Sequence, residues 1–326
     1  MAKRAVGAVA WNGVDDAVGA RIVKDRGTGR NPSRRAFLRG GATLPLSLVA
    51  APALAQGLGA PDAAPFPIAT LAPVPPTDRA VAAAQRAFER ALSRPVSVRN
   101  YRDGVRLVDA AASGRGDISV HTALTYAATA SLCGCAIPVL RPISRDGAAG
   151  MRAIIIVRRN GPARQLTDLA GRALLGATRG SVAGEVVRRG LPAVREAIVF
   201  DEERGALARF RDGEGVALAG FERIDRDGAA IGGTLARLDP ERHAVLWRSF
   251  PVWHGPVCVA AGVDPALRRR IVGELVALRV GGQALAGLGL GGIRGFVAAE
   301  AEDYTPLVTL LRRDVADGAT TGAVRR

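Results

Sequence analysis

From position 66 onward, two patterns of apolar residues alternate along the chain. Short apolar runs, such as Ala-Ile-Ile-Ile-Val at residues 153–157, alternate with segments in which apolar residues recur every three or four positions, as at Val81, Ala84, Phe88 and Leu92. The first pattern predicts strands that are buried on both faces, and the second predicts amphipathic helices. Strands that alternate with helices are typical of an α/β fold with parallel sheets.

Two of these helices are also predicted by the residues at their ends. Asp264 can cap a helix over residues 265–278, because proline at the first helical position, Pro265, is already set for helix geometry. Thr77 or Asp78 can cap the helix that contains Val81 and Phe88. Both assignments rest on side chains that accept hydrogen bonds from the first free N–H groups of a helix.

The order of the segments predicts a two-lobed α/β protein with a mostly parallel, helix-flanked sheet in each lobe. Residues 56–65, rich in Gly, Ala and Pro, form a linker. We assign residues 66–157 to the first part of lobe 1 and residues 158–250 to lobe 2. Residues 251–326 return to lobe 1 and end in helices. The crossings near residues 158–162 and 250–254 are expected to act as a hinge between the lobes.

The net charge of +15 raises the question of nucleic-acid binding. Residues 1–55 carry nine Lys or Arg and three Asp or Glu, whereas the remainder carries 36 Arg and 27 Asp or Glu. Those arginines are interleaved with acids, and aromatic residues make up only 4% of the chain. Because single-stranded nucleic acid needs aromatic residues beside a basic groove, we expect no nucleic-acid partner.

The N-terminal part of the chain has the segments of an export signal. After an extension over residues 1–32, Arg34 and Arg35 precede an uncharged stretch that ends in Ala-Leu-Ala at Ala55. A basic region, a short apolar region and an A-x-A site are typical of a secretory signal peptide. The paired arginines resemble a twin-arginine (Tat) signal. We therefore expect export by the Tat translocase, cleavage after Ala55 and a soluble periplasmic protein; a chance Arg pair before an Ala-rich helix is the alternative.

The three cysteines, Cys133, Cys135 and Cys258, rule out a disulfide scaffold. A bridge between Cys133 and Cys135 is possible but strained, since disulfide geometry favours Cα atoms about 5.5 Å apart. The favoured interpretation is therefore that all three are small buried apolar residues. Their spacing does not fit a zinc site.

The sequence gives little support to an enzyme. Ser181 lies between Gly180 and Gly184, which is not the G-x-S-x-G pattern of a nucleophile elbow. The three histidines are scattered, without the spacing of a triad or a metal site. Residues 287–292 fit G-x-G-x-x-G, but they follow a helix-like run rather than a strand, so they do not predict dinucleotide binding. We expect no catalytic residue, cofactor or metal.

Five stretches in a fixed order carry a resemblance to a known family. They are Gly116-Asp117-Ile118 with Leu124-Thr125-Tyr126; residues 137–142 with Arg145-Asp146-Gly147; residues 152–158 with 166–171; Gly255-Pro256-Val257 with residues 265–268; and residues 295–297 with Asp303-Tyr304. Over residues 66–311 the chain resembles the phosphate/phosphite/phosphonate class of ABC-transporter substrate-binding proteins. That family belongs to the type II periplasmic binding proteins. The resemblance implies their two-lobed fold, a monomer, and capture of a small anionic ligand for a membrane permease.

The resemblance also implies where the ligand would bind. Family members hold a small anion between the lobes, partly on a helix N-terminus, where free N–H groups and the helix dipole favour negative charge. The positions of this sequence that match are Thr77, Thr122, Tyr126, Thr178, Gly180, Ser181, Val182 and Arg204. Two alternatives stay open: Ser181 can be an ordinary N-cap, and Tyr126 can be a core residue.

Three positions depart from the family pattern. Arg204 stands where the family often has a histidine, Gly220 stands where an acid is expected, with Glu222 nearby, and Met151 stands where an aromatic residue is common. Because arginine can clamp an oxyanion through two hydrogen bonds, these changes are compatible with a phosphonate-like or phosphate-like oxyanion or a small carboxylate. The alternative functions are a Tat-exported enzyme with a cofactor and a periplasmic ligand sensor for a membrane signalling protein.

Overall fold

The computed structural model describes residues 64–176, 181–192, 194 and 198–312 of the chain. In chain order, the strands are β1 (Phe66–Leu71), β2 (Val96–Tyr101), β3 (Ile118–Val120), β4 (Ala136–Ser144), β5 (Gly150–Arg158), β6 (Leu174–Gly176), β7 (Ile198–Phe200), β8 (Ala217–Ile224), β9 (Ala230–Gly233), β10 (His243–Arg248), β11 (Val252–Trp253), β12 (Val257–Ala260) and β13 (Ile293–Ala298). The helices are α1 (Asp78–Leu92), α2 (Gly104–Ala112), α3 (Ala123–Leu132), α4 (Val182–Gly190), α5 (Glu203–Arg211), α6 (Pro265–Ala277) and α7 (Gln283–Gly287). Residues 305–312 form a further helix, called here the final helix.

The first sheet has the strand order β13-β4-β12-β3-β1-β2. β1 pairs in parallel with both β2 and β3, whereas β12 and β13 run antiparallel to their neighbours. Because side chains alternate across a strand, the two faces hold different cores. Val257 and Val259 of β12 join the core formed with α1, α6 and α7. Cys258 points to the other face, where it packs near Tyr126 of α3 and Tyr304.

The second sheet has the order β10-β5-β8-β6-β7, with β11 paired to β5 and β9 paired to β8. β6 pairs in parallel with β7 and β8, but β5 runs antiparallel to β8 and β10. Both faces of β5 are buried: Ile155 joins the core that contains α4, and Ile154 and Ile156 join the core under α5. The predicted two-lobed α/β fold is confirmed, but each sheet is mixed rather than mostly parallel.

The lobe assignment of β5 differs from the prediction. The sequence pattern places the end of the first part of lobe 1 at residue 157, whereas β5 lies in the second sheet because it pairs with β8 and β10. β11 belongs to the same sheet through its pairing with β5. The chain therefore crosses from the first sheet to the second between Ser144 and Gly150, and returns between Trp253 and Val257. The final helix joins the core of the second sheet through Leu307 and Leu310.

The predicted helix caps and the glycine-rich segment both have clear local roles. The Asp264 carboxylate accepts hydrogen bonds from the N–H groups of Ala266 and Leu267, so α6 begins where the sequence predicts. A Cβ atom on Gly287 would lie 2.2 Å from the Ala80 carbonyl oxygen. Glycine at the start of the G-x-G-x-x-G segment is thus required for α7 to pack against α1.

Cys133 and Cys135 form a disulfide, which corrects the interpretation of all three cysteines as buried apolar residues. The bridge is possible because Gly134, at φ +60°, turns the chain and brings the two Cα atoms to 5.1 Å. Cys133 is exposed at the end of α3, and Cys135 is half-buried. Only Cys258 is a buried free thiol among the described residues.

Candidate functional site

Among the described residues, five helices begin after the carboxyl ends of parallel strands: α2 follows β2 with Asp103 as its N-cap, and the other four starts hold residues that the sequence singles out. In the first sheet, α1 follows β1 with Thr77 as its N-cap, and α3 follows β3 with Thr122 as its N-cap. In the second sheet, α4 follows β6 with Ser181 as its N-cap, and α5 follows β7 with Glu202 at the cap position. Ligands of open α/β sheets bind outside the carboxyl ends of the strands. These helix starts therefore define the candidate site.

The N-terminus of α3 is closed by two threonines. The Thr122 hydroxyl accepts the Thr125 N–H at 3.2 Å, and the Thr125 hydroxyl accepts the Thr122 N–H at 2.9 Å. This reciprocal arrangement is a capping box. Both threonines are buried, so the geometry of this helix start is fixed from both sides.

His121 extends this hydrogen-bonded cluster into the sheet. Its Nε2 lies 2.8 Å from the Ser119 hydroxyl, and its Nδ1 lies 3.3 Å from the Thr125 hydroxyl. Burial lowers the pKa of His121 to about 3, so the imidazole is neutral. In the sequence alone, this histidine is one of three scattered histidines. Its place between β3 and the cap residue Thr122 was the signal that could have found it.

Gly255 packs directly against this helix start. A Cβ atom at this position would lie 2.0 Å from the His121 carbonyl oxygen and 2.3 Å from the Thr122 carbonyl carbon. In addition, the His121 N–H donates to the Pro256 carbonyl at 3.0 Å. The segment that returns from the second sheet to the first thus contacts the N-terminus of α3.

The N-terminus of α4 is simpler. The Ser181 hydroxyl accepts the Gly184 N–H at 3.1 Å, and Ser181 and Val182 are both half-buried. In the first turn, Glu185 accepts hydrogen bonds from Arg188 at 2.6 Å and Arg189 at 2.9 Å. Although burial opposes ionisation, these hydrogen bonds hold the pKa of Glu185 below its ordinary value. The negative charge in this turn is therefore compensated within α4.

The remaining residues that the sequence predicts as ligand contacts do not lie in one common environment. Thr77 is exposed, and its hydroxyl accepts the Ala80 N–H at 3.3 Å. Arg204 is exposed in the first turn of α5. Thr178 and Gly180 lie outside the described residues, as do Arg34, Arg35 and the predicted cleavage site after Ala55.

Tyr126 fits the alternative interpretation as a core residue. It is 2% exposed, and its ring packs edge-on against Tyr304 with 4.7 Å between ring centroids. Burial raises the pKa of Tyr126 to about 12. Its ring also lies edge-on to the His121 ring, with 6.2 Å between centroids, so Tyr126 is a buried neighbour of the α3 start.

The starts of α3 and α4 share one apolar core, although they belong to different lobes. This core contains Ala123 and Leu124 from the first turn of α3, Ala183 from the first turn of α4, and Val252 from β11, with Met151 packed against it. Met151, which stands where the family often has an aromatic residue, is thus part of this apolar environment. At α3 this apolar core lies beside the polar cluster of Thr122, Thr125 and His121.

The two positions that replace the expected acid are both engaged elsewhere. A Cβ atom on Gly220 would lie 2.6 Å from the Thr234 hydroxyl, so this position is packed against Thr234. Glu222 is buried and accepts two hydrogen bonds from the Arg248 Nε, at 2.9 and 3.2 Å, and one from Nη2 at 3.0 Å. Its carboxylate is committed to the Arg248 guanidinium.

A second set of residues that sequence reasoning missed joins the lobes at the return crossing. The Arg141 guanidinium lies 4.1 Å from the centre of the Trp253 ring and pairs with Asp303 at 2.9 Å. The Tyr304 hydroxyl donates to the His254 carbonyl at 2.7 Å. His254 is half-buried, and its desolvation lowers its pKa. This crossing therefore has its own buried polar contacts.

Solved structures share this fold at low sequence identity. XAC2383 from Xanthomonas citri bound to ATP has a TM-score of 0.54 and 16% identity, covering 77% of this chain and 98% of its own. The same protein bound to chloride ion has a TM-score of 0.52 and 17% identity, covering 77% and 99%. Transferrin 1 from Manduca sexta has a TM-score of 0.50 and 12% identity, covering 77% and 47%. A comparison with curated proteins gives no match.

A protein-family model gives the more specific result. The model described as "ABC transporter, phosphonate, periplasmic substrate-binding protein" matches residues 75–304, which include most of both sheets. Within the part of the chain that the structure describes, every helix is too short or too polar to span a bilayer. The matched family consists of binding proteins for transport, not of enzymes. The chain therefore belongs to the family of periplasmic substrate-binding proteins of phosphonate ABC transporters.

Proposed function

We propose that the chain binds a small phosphonate-type oxyanion between the N-termini of α3 and α4 and delivers it to an ABC-transporter permease. The observation that carries this proposal is that two hydroxyl-capped helix starts from different lobes share one apolar core. Lobe 1 and lobe 2 would each supply one helix end to the ligand. The proposal includes Thr77, Thr178 and Gly180 as further contacts from the family pattern, and Arg204 as an exposed charge that attracts the anion.

The helix starts have the chemistry that an oxyanion needs. The first N–H groups of a helix have no partner within the helix, and the dipole places about half a positive charge there. In α4 these include the N–H groups of Val182 and Ala183. The Ser181 oxygen accepts the Gly184 N–H, which leaves the Ser181 hydroxyl proton able to donate to a ligand oxygen.

The residues around the two helix starts favour a ligand whose end opposite the oxyanion is small and uncharged. Around the helix starts, Ala123, Leu124 and Ala183 are apolar and buried. Glu222, beside the position where the family has an acid, is paired with Arg248, and Glu185 in the first turn of α4 is paired with Arg188 and Arg189. A ligand with a free ammonium group would need an unpaired carboxylate. We therefore favour phosphite or an alkylphosphonate over an aminoalkylphosphonate as the ligand, and we rank small carboxylates next.

Calorimetry on residues 56–326 tests this proposal against phosphate, phosphite, methylphosphonate, 2-aminoethylphosphonate and small carboxylates. One neutral hydrogen bond contributes about 1 kcal/mol and a charge-assisted one about 1.5–3, so Ser181→Ala should weaken binding by roughly five- to a hundred-fold. Ser181→Pro should cost more if the Ser181 N–H also donates to the ligand, since proline has no N–H.

The matched control is Asp264→Ala, which removes the cap of α6. α6 follows the antiparallel strand β12, so this variant should lose a similar cap energy while binding the ligand as the parent does. A folded Ser181→Ala variant with parental affinity would show that the hydroxyl does not contact the ligand. A folded parent that binds none of the anions would refute the proposal as a whole.

Export and lobe closure complete the proposed function. A monomer with a signal peptide ending at Ala55 would reach the periplasm through the Tat translocase and close its lobes on the ligand. Replacing Arg34 and Arg35 by lysines should trap the precursor in the cytoplasm; unchanged export would remove the Tat route but leave general secretion open. Small-angle scattering should show a smaller radius of gyration with ligand, and identical radii at saturation would refute closure.

A further inference from the structure

The Cys133–Cys135 disulfide lies at the opposite end of α3 from the proposed ligand site. Cys133 is exposed, and a Cβ atom on Gly134 would meet no atom within 4 Å. Cys135 is half-buried and lines a surface cavity of about 510 Å³ together with Asp117 and Arg94. A thiolate from solvent can therefore approach the Cys133 sulfur from the open side. Cys258, in contrast, is fully buried.

This disulfide adds little to what holds the fold together. The entropy that a bridge removes from the unfolded chain grows with the number of residues it encloses. Here it encloses only Gly134. β4, which begins directly after the bridge, is fixed by its pairing with β12 and β13. We therefore expect the chain to keep its fold in both the oxidised and the reduced state.

The backbone around the bridge also suits two free thiols. The Cys133 sulfur lies 3.6 Å from the Thr129 carbonyl oxygen, and the Cys135 sulfur lies 3.7 Å from the Ala111 carbonyl oxygen. Each reduced S–H thus has a carbonyl acceptor close by once the two sulfurs separate. The Cys135 N–H lies 3.3 Å from the Cys133 sulfur, where it can donate to a thiolate.

We propose that Cys133–Cys135 is a redox-active disulfide that accepts two electrons from a dithiol protein. A thiolate of the dithiol attacks the Cys133 sulfur. A new S–S bond forms there, the Cys133–Cys135 bond breaks, and the electron pair leaves on the Cys135 sulfur, which takes up a proton. The second thiolate of the dithiol then attacks its partner sulfur in the mixed disulfide. Cys133 leaves as a thiolate and takes up the second proton, so the chain is reduced and the dithiol is oxidised.

Thiol labelling of the full chain tests the exchange. The oxidised chain is mixed with a thioredoxin-class dithiol protein, quenched in acid, and labelled with a maleimide reagent after unfolding. We expect two thiols beyond Cys258 to appear together while the chain is still folded. A monothiol form of the same dithiol protein should trap a mixed disulfide at Cys133 rather than at Cys135, as located by peptide mass analysis. Cys258→Ala should react like the parent, because its thiol takes no part.

Stability measurements separate this role from a structural one. The double variant Cys133→Ser, Cys135→Ser should melt within roughly 4 °C of the parent, the shift expected for about 1 kcal/mol in a chain of this size. A larger loss would overturn the proposal, because the bridge would then be a structural staple. It would also be overturned if the chain isolated under oxidising conditions carried three free thiols, if the bridge were reduced only on unfolding, or if no mixed disulfide formed. None of these outcomes depends on which anion the chain binds.

Discussion

The starts of α3 and α4 face the same proposed ligand but are built in different ways. At α3, Thr122 belongs to a buried chain of hydrogen bonds that runs through Thr125 and His121 to Ser119. At α4, Ser181 is half-buried and makes one cap hydrogen bond. The α3 start is fixed by the core, so a substitution there should lower both the stability of the fold and the affinity for the ligand. The α4 start is held by fewer contacts, so a substitution there should lower the affinity with little loss of stability.

The largest effect should come from Gly255, which packs against the α3 start. Its substitution by alanine would place a Cβ atom 2.0 Å from the His121 carbonyl oxygen, so the backbone of one segment must shift. We expect Gly255→Ala to lower the free energy of unfolding by more than about 4 kcal/mol, the range of exceptional overpacking. Urea denaturation followed by circular dichroism measures this change.

Gly262→Ala is the matched control for that experiment, because a Cβ atom at Gly262 would meet nothing within 4 Å. It should change the free energy of unfolding by less than about 0.5 kcal/mol. If Gly255→Ala unfolded at the same urea concentration as Gly262→Ala, the close contact between the return crossing and α3 would be refuted.

The two helix starts should also differ in their response to acid. Burial lowers the pKa of His121 from 6.5 to about 3, so between these pH values the unfolded chain binds a proton that the folded chain does not. The stability from neutral His121 is therefore complete above pH 6.5 and is lost as the pH falls toward 3. For Glu185, whose pKa is held below its ordinary 4.5, the loss begins only below that pH.

The unfolding midpoint in urea, measured from pH 7 to pH 4, tests this difference. The parent should lose stability faster on acidification than His121→Asn, whatever their difference at pH 7. Glu185→Gln should follow the parent down to about pH 4.5, since the unfolded chain protonates this carboxyl only near its ordinary pKa of 4.5. Parallel curves for the parent and His121→Asn would contradict a buried neutral imidazole at this site.

The contrast between the helix starts also explains what could be predicted from the sequence. Thr122 and Ser181 were found because short segments around them match the family pattern, and β5 was found because Ala-Ile-Ile-Ile-Val is apolar at every position. The sheet to which β5 belongs depends on its pairing with β8 and β10, which are distant in the chain. Local periodicity contains no information about that pairing.

The buried polar residues were missed for a related reason. His121 gains its role only because Gly255 and Pro256 return from the other sheet to cover it. Arg141 is likewise explained by Trp253 and Asp303, which lie far along the chain. The Cys133–Cys135 bridge was considered from the sequence but not favoured, because the turn at Gly134 that allows it is a matter of backbone conformation.

Removing one cap at a time gives a moderate effect that compares the two helix starts directly. Loss of a Ser or Thr cap costs about 0.5–2 kcal/mol, and Thr122→Ala should lie at the upper end because it also leaves the buried Thr125 hydroxyl with one partner fewer. Ser181→Ala should lie at the lower end. Equilibrium urea unfolding of both variants should therefore rank Thr122→Ala as the less stable; the reverse order would contradict the difference in how the two ends are held.

The smallest effect should come from Arg204, which is exposed in the first turn of α5. An exposed charge mainly attracts the anion through solvent, and this attraction is screened within about 10 Å at 0.1 M salt and about 3 Å at 1 M. Arg204→Gln should therefore lower the association rate roughly two- to fivefold at low salt, and the difference should vanish near 1 M salt. The matched control is Arg226→Gln, which changes an exposed arginine that pairs with Asp227 in the turn between β8 and β9; this variant should bind like the parent.

Stopped-flow measurements across a salt series distinguish attraction through solvent from direct contact between Arg204 and the ligand. A loss of affinity that persisted at high salt would show instead that Arg204 clamps the oxyanion when the lobes close, and it would place the second lobe's main charge on α5 rather than at the start of α4.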